Sequence, residues 1–138
     1  PGSYSNITVS GNAKLTLAPG TYNINSLTVS GNAAVTISPV GAVVFNIAGT
    51  GQNTPLSLSG NGITNPSEIP NNVRINYAGS GSITLSGDSD FYAVVDAPNA
   101  TVTYSGNGNF YGSIIGNRIV DTGNGAIHYD TNASAATI

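Results

Sequence analysis

Six carboxylates, one histidine and three basic side chains carry most of the ionisable chemistry in a chain of 138 residues. Three of the acids, Asp88, Asp90 and Asp96, lie close together in sequence. Carboxylates at such spacing suit general acid–base work on a glycosidic bond, or a Ca2+ site completed by carbonyl oxygens. Enzymes that act on polysaccharides often set such acids beside a Lys or Arg. Lys14, Arg74 and Arg118, the only cations, are all remote in sequence. Asp88 and Asp90 stand where turn residues are wanted, and Asp96 is expected to be solvated. The expectation is no catalytic residue and no enzyme, with calcium at Asp88, Asp90 and Asp96 left open. His128 is the single histidine and there is no cysteine, so a zinc site is not expected. No cofactor is expected either.

His128 belongs to a different pattern. Tyr92, Tyr111 and His128 are the middle residues of Phe91-Tyr92-Ala93, Phe110-Tyr111-Gly112 and Ile127-His128-Tyr129. Period-two alternation turns the middle residue of each triplet outward. Three aromatic rings at one outward position make a stripe that can stack on sugar rings or on a partner protein, or simply cover the surface. Thr8, Thr28, Ser57, Thr84 and Thr103 form a second outward set, with Thr16 and Thr36 as a third. Ordered threonines on a flat face can bind ice, but such a face wants two outward threonines per strand. Only Thr101-Val102-Thr103 supplies them, so exposed strand threonines are the simpler reading.

These triplets are placed by a repeat. Ser10-Gly11-Asn12 recurs as Ser30-Gly31-Asn32, Ser59-Gly60-Asn61, Ser86-Gly87-Asp88, Ser105-Gly106-Asn107 and Thr122-Gly123-Asn124, at spacings of 17 to 29 residues. An alternating triplet precedes every corner and another follows every corner but the third, where Gly62 to Asn72 reads as a loop. Gly accepts positive φ, and Asn or Asp bonds to local backbone. Stacked Asn12, Asn32, Asn61, Asp88, Asn107 and Asn124 are expected to hydrogen-bond along a column. A strand–corner–strand order repeated in one sense is a parallel coil, not a meander. Tyr22-Asn23-Ile24, Val43–Ile47 and Val73–Tyr77 complete the coils. The spacing predicts an all-β, single-domain parallel β-solenoid over residues 1–138, of about six to seven coils. Pro55, Pro66 and Pro70 mark two protruding loops, near 49–55 and 62–72. Residues 131–138 read as a flexible tail. Asp121 falls at an inward position, and is expected to be wet because the last coil is open.

Charged residues are only 7% and the net charge is −3. That excludes a basic surface for nucleic acid. No apolar run is long enough to insert in a membrane. Methionine is absent even at position 1, so the chain is expected to be trimmed from a longer product.

The residues Pro19-Gly20-Thr21-Tyr22, Leu27-Thr28-Val29-Ser30-Gly31-Asn32, Phe110-Tyr111-Gly112-Ser113-Ile114-Ile115 and Ala126-Ile127-His128-Tyr129-Asp130 carry a resemblance. Together they resemble a bacterial extracellular β-solenoid domain found in PilX- and Tad-type pilus-associated proteins. The resemblance covers nearly the whole chain and implies a bacterial cell-surface or extracellular location. It brings no catalytic residues. Solenoid ends are rows of unpaired backbone groups, usually capped. No capping helix or charge cluster is visible in the sequence. The first expectation for function is therefore a structural protein that pairs with itself end to end in a filament or pilus-associated assembly. Ile7 and Val9 mark one end, Ile127 and Tyr129 the other. The alternative is a carbohydrate-binding adhesive module using Tyr92, Tyr111 and His128, with surface glycans as partners. A glycan lyase or hydrolase and an ice-binding protein stand behind both.

Overall fold

The computed structural model describes residues 1–133. The chain winds through six coils of short strands, and every pairing between strands is parallel. One face stacks β1 (Gly2–Ser3), β4 (Gly20–Ile24), β7 (Val43–Ile47) and β10 (Val73–Tyr77). A second stacks β2 (Asn6–Val9), β5 (Ser26–Val29), β8 (Leu56–Leu58) and β11 (Ser82–Leu85). A third holds β3 (Lys14–Leu17), β6 (Ala34–Ile37) and β9 (Ile63–Thr64). The last two coils are built by β12 (Phe91–Tyr104) and β13 (Phe110–Asp121), long strands that bend from face to face, and by β14 (Ile127–Tyr129). The expected β-solenoid is the fold.

In-register stacking turns sequence alternation into columns. Leu27, Leu56, Ile83 and Val102 pair one above another, as do Tyr22, Phe45, Ile75, Val95 and Ile114. Almost all of these side chains are buried in one continuous apolar core. Each fully buried Leu, Ile or Phe contributes about 1.5–3 kcal/mol through water exclusion. The chain has few charges because its length is spent on inward apolar positions and on short outward polar ones.

The corner column forms as expected for most of its length. Nδ2 of Asn32 donates to Oδ1 of Asn12 at 3.3 Å, Asn107 to Asp88 at 2.9 Å, and Asn124 to Asn107 at 3.0 Å. At the third corner Nδ2 of Asn61 donates instead to the backbone O of Asn32. That corner also corrects the sequence reading. Ile63-Thr64 is not loop but strand, pairing with Val35-Thr36. Its corner is one residue shorter than the others, which displaces the triplet by one and hides it from a fixed-offset search. The protrusion therefore starts at Asn65.

The glycines differ along the rod. Gly11, Gly31 and Gly60 have φ of 67°, 68° and 64°, in tight turns closed by Ala13 N to Ser10 O, Ala33 N to Ser30 O and Gly62 N to Ser59 O. Gly106 is not in that region. It is required because the coil below is too near: a Cβ there would meet the backbone O of Gly87, and lie 2.8 Å from its N.

The termini are more ordered than the sequence suggests. Gly2-Ser3 belongs to the stack as its first strand, pairing with Tyr22-Asn23 in its own chain. Thr131–Ala133 is not a loose tail. Ala133 is 1% exposed and packs with Val94, and Asn71 Nδ2 donates to Asn132 O at 2.9 Å. Residues 134–138 lie outside the described residues. Asp121 is exposed, as expected for the last coil.

Two predictions follow from this packing. Gly106→Val is expected to lower stability by about 1–3 kcal/mol through backbone collision; an unchanged melting temperature would show that the coils are not this close. Burial raises the phenol pKa values of Tyr22 and Tyr104 above the ordinary one, so the fold favours neutral phenol. That contribution is complete below a pH of about 10 and is lost as pH rises through the folded pKa values. Thermal melts should be flat to about pH 9 and then fall. Tyr104→Phe should make the alkaline fall shallower, and an identical fall in the variant would refute the burial argument.

Candidate functional site

Tyr92 pairs with Tyr111, and Tyr111 with His128, on three successive coils. The rings follow the backbone spacing. Tyr92 and Tyr111 have centroids 4.8 Å apart at 13°, and Tyr111 and His128 4.7 Å apart at 9°. These distances match the ~4.8 Å between parallel strands, so the rings lie like pages parallel to the coils. Their faces cover one another and their edges point outward. His128 is the last ring, and among the described residues no further coil stacks on its outer face.

A groove of about 310 Å³ runs beside this column. Glu68, Pro70, Tyr129, Asp130 and Thr131 complete its lining. Glu68 and Pro70 come from the protruding loop, which Asn65 fastens in place. Asn65 is 3% exposed. Its Nδ2 donates to Ile69 O at 2.9 Å and to Tyr92 O at 3.1 Å, while its Oδ1 accepts from Ser67 Oγ at 2.7 Å. One side chain thus closes the loop and ties it to the aromatic strand. The loop then turns through Glu68, at φ 56°, into a short 3-10 turn, Pro70–Asn72. Burial, then the charges of Glu68 and Asp90, raise the pKa of Tyr92, so its hydroxyl remains a hydrogen-bond donor well into alkaline conditions. The groove offers phenol hydroxyls, carboxylate acceptors, ring edges and one open ring face.

The three acids singled out by sequence are not brought together. Asp88 accepts from Asn107, and Asp90 Oδ1 accepts from the backbone N of Asn109 at 2.8 Å. Both serve corners. Asp96 is on another face, in register with Asn76. No cluster of metal-ligating side chains exists among the described residues. Of the end positions, Val9 is 6% exposed and Ile7 is half-buried against the core, whereas Ile127 is half-buried and Tyr129 is 70% exposed. The two ends are therefore unlike.

The hydroxyl column is real: Thr8, Thr28, Ser57, Thr84 and Thr103 stack in register. A second outward column beside it, missed in the sequence, holds Asn6, Ser26, Ser82 and Thr101. It is not a uniform array. Ser26 is buried and donates to Asn6 Oδ1 at 2.8 Å, the third coil carries Pro55 before Leu56, and Arg118 and Val120 end the two columns.

No helix of the described residues is long and apolar enough to cross a membrane. Neither the curated proteins nor the solved structures include one that matches the chain. A family model does match, over residues 2–129, which takes in all six coils, the aromatic column and most of its groove. With that match on a β-solenoid, the chain belongs to the family described as "Putative Ice-binding-like adhesive domain".

Proposed function

We propose that this domain is a non-enzymatic surface adhesion module, and that its target is a glycan held in the groove beside Tyr92, Tyr111 and His128. The observation that carries this reading is the continuous ring stack, 4.8 and 4.7 Å between centroids, walled by a loop that Asn65 fixes. Family membership supports adhesion. The open face of His128 suits the C–H face of a sugar ring, and the phenols with Glu68 and Asp130 suit sugar hydroxyls. The mixed second column beside the threonines favours adhesion over ice, whose lattice asks for a uniform repeat.

A second reading concerns assembly. On the last coil Ile119 is 47% exposed, while its equivalents Ile83 and Val102 are fully buried. With Ile127 and Tyr129 it forms an apolar end whose strands have unpaired edges among the described residues. Pairing with Ile7 and Val9 of a second copy would be head to tail and would not close, giving a filament. The pilus association implied by the sequence resemblance belongs to this reading.

Tyr111→Ala is expected to lower stability by only about 0.5–1.5 kcal/mol per lost ring contact, leaving the coils intact. Binding on a glycan array should fall about ten-fold or more, as for a loss of roughly 1.4 kcal/mol. Equal binding by the two proteins, or release of reducing ends from the bound glycan, would overturn the adhesive reading. For assembly, sedimentation should show concentration-dependent growth that Ile119→Asp abolishes. A compact monomer at every concentration would remove the filament.

A further inference from the structure

One inward column of the second face runs through the whole stack. Val9, Val29, Leu58, Leu85, Tyr104 and Asp121 stand one above another in register. The first five are buried in the core, and Asp121 is exposed. An apolar column thus ends on a carboxylate, beside Ile119 at the end of the neighbouring column. Tyr104 beneath it has no hydrogen bond to give, because its hydroxyl donates to the backbone O of Gly108.

The two ends of the rod match in polarity. An ionised Asp88 has no hydrogen to give, so Asn107 must donate to it, and Asn107 Oδ1 is left to accept from Asn124. Asn124 Oδ1 is then an unused acceptor on the last coil among the described residues. Asn12, first in the same column, accepts from Asn32 and keeps its amide hydrogens. The backbone at the corner repeats this direction: Ser30 N donates to Val9 O, and Thr122 N to Tyr104 O. Carried one coil further, Ser10 N of a second copy meets Asp121 O. The same register seats that copy's Asn12 on Asn124, its Ile7 on Ile119 and its Val9 on Asp121.

We infer that Asp121 is an acid-sensitive guard on this end: ionised, it holds the first coil of a second copy off the last coil, and protonated, it lets that coil seat. The inference rests on the end-to-end assembly reading and states what regulates it. Seating places Asp121 between Tyr104 and Val9. No cation faces it there: Arg118 and His128 stand outward in register with Thr101 and Tyr111, and Lys14 of the second copy is an exposed residue beyond the corner. The other acid nearby adds repulsion, since burial and then the charges of Asp90 and Asp121 raise the pKa of Tyr104. Tyr129, the remaining titratable side chain of β14, is in register with Gly112, at the far end of that strand. A buried, unpaired carboxylate is strongly disfavoured, and inward charges are a general means of keeping sheet edges apart. Protonation removes the charge. Assembly therefore takes up a proton and strengthens as pH falls towards the ordinary carboxylate range.

The test is sedimentation equilibrium of the whole chain over a concentration series, parent against Asp121→Asn, at about pH 7 and about pH 4.5. Asparagine keeps the shape of the side chain and cannot ionise, and the position is exposed, so the variant should melt with the parent. At the higher pH the variant should associate about ten-fold or more tightly than the parent. At the lower pH the two should converge. Comparing the pair at each pH cancels what acid does elsewhere in the chain, the charging of His128 included. Ile7→Asp added to Asp121→Asn, with folding checked by circular dichroism, should return the variant to a monomer at about pH 7. Equal association of parent and Asp121→Asn at that pH, or a gap that acid does not close, overturns the guard and leaves end-to-end assembly standing. Association that a folded Ile7→Asp variant retains overturns it too, because the partner surface is then not the first coil. If Asp121→Asn is a monomer at every concentration and at both pH values, the assembly reading falls and the guard with it.

Discussion

Parallel strands can stack only at their hydrogen-bonding distance, and this one spacing organises the rest of the molecule. Each residue in a strand has a counterpart directly above and below it. An apolar residue then packs on apolar residues, an asparagine on asparagines, and a ring on rings. The same closeness limits what a corner can hold. At Gly106 the neighbouring backbone leaves no room for a Cβ, so glycine is demanded by the coil beneath and not by the local turn. At Gly11 and Gly31 the demand is conformational, and at Gly60, where a Cβ would also meet the backbone O of Gly31, it is both. One sequence motif thus answers two different physical needs.

Stacking also makes the surface one-dimensional. What the rod presents outward is a set of columns, each with its own chemistry: hydroxyls on the second face, amides on the first, aromatic rings on the third. Because the coils are rigidly paired, a column holds its groups at fixed spacing with little entropy left to lose on contact. That suits adhesion to a repeating target. The columns are interrupted at particular coils, by Pro55 beside the hydroxyls and by Asp96 above the amides, and the interruptions distinguish this surface from a uniform lattice. The aromatic column gains a wall only because Asn65 holds the 65–72 protrusion against it.

Much of the fold was legible in the sequence because alternation is local and the corners repeat. The aromatic and threonine columns could be drawn from triplets alone, whereas the exposure of Asp121 followed from its place on the last coil, against the inward position its triplet gives it. Ile63-Thr64 escaped because its corner is a residue short, and a fixed offset cannot see a shift of one. Asn65 escaped because its partners, Ile69 and Tyr92, lie in a loop and in a later coil that no periodicity connects. The row of amides on the first face, where Asn46 donates to Asn23 and Asn76 to Asn46, escaped for a related reason. Asn23, Asn46, Asn76 and Asp96 are separated by loops of different length, so only the coil register reveals them as one row. Asp88 and Asp90 serve corners, as their turn positions suggested, while Asp96, near them in sequence, lies on another face.

The central claim is that recognition runs along columns of the stack and not around a coil. Backbone chemical-shift mapping of the intact chain with a bound oligosaccharide tests it most directly. The account predicts that the shifted amides recur once per coil along one column, as at Tyr92, Tyr111 and His128. Shifts spread around a single coil, or confined to loop tips, would contradict it.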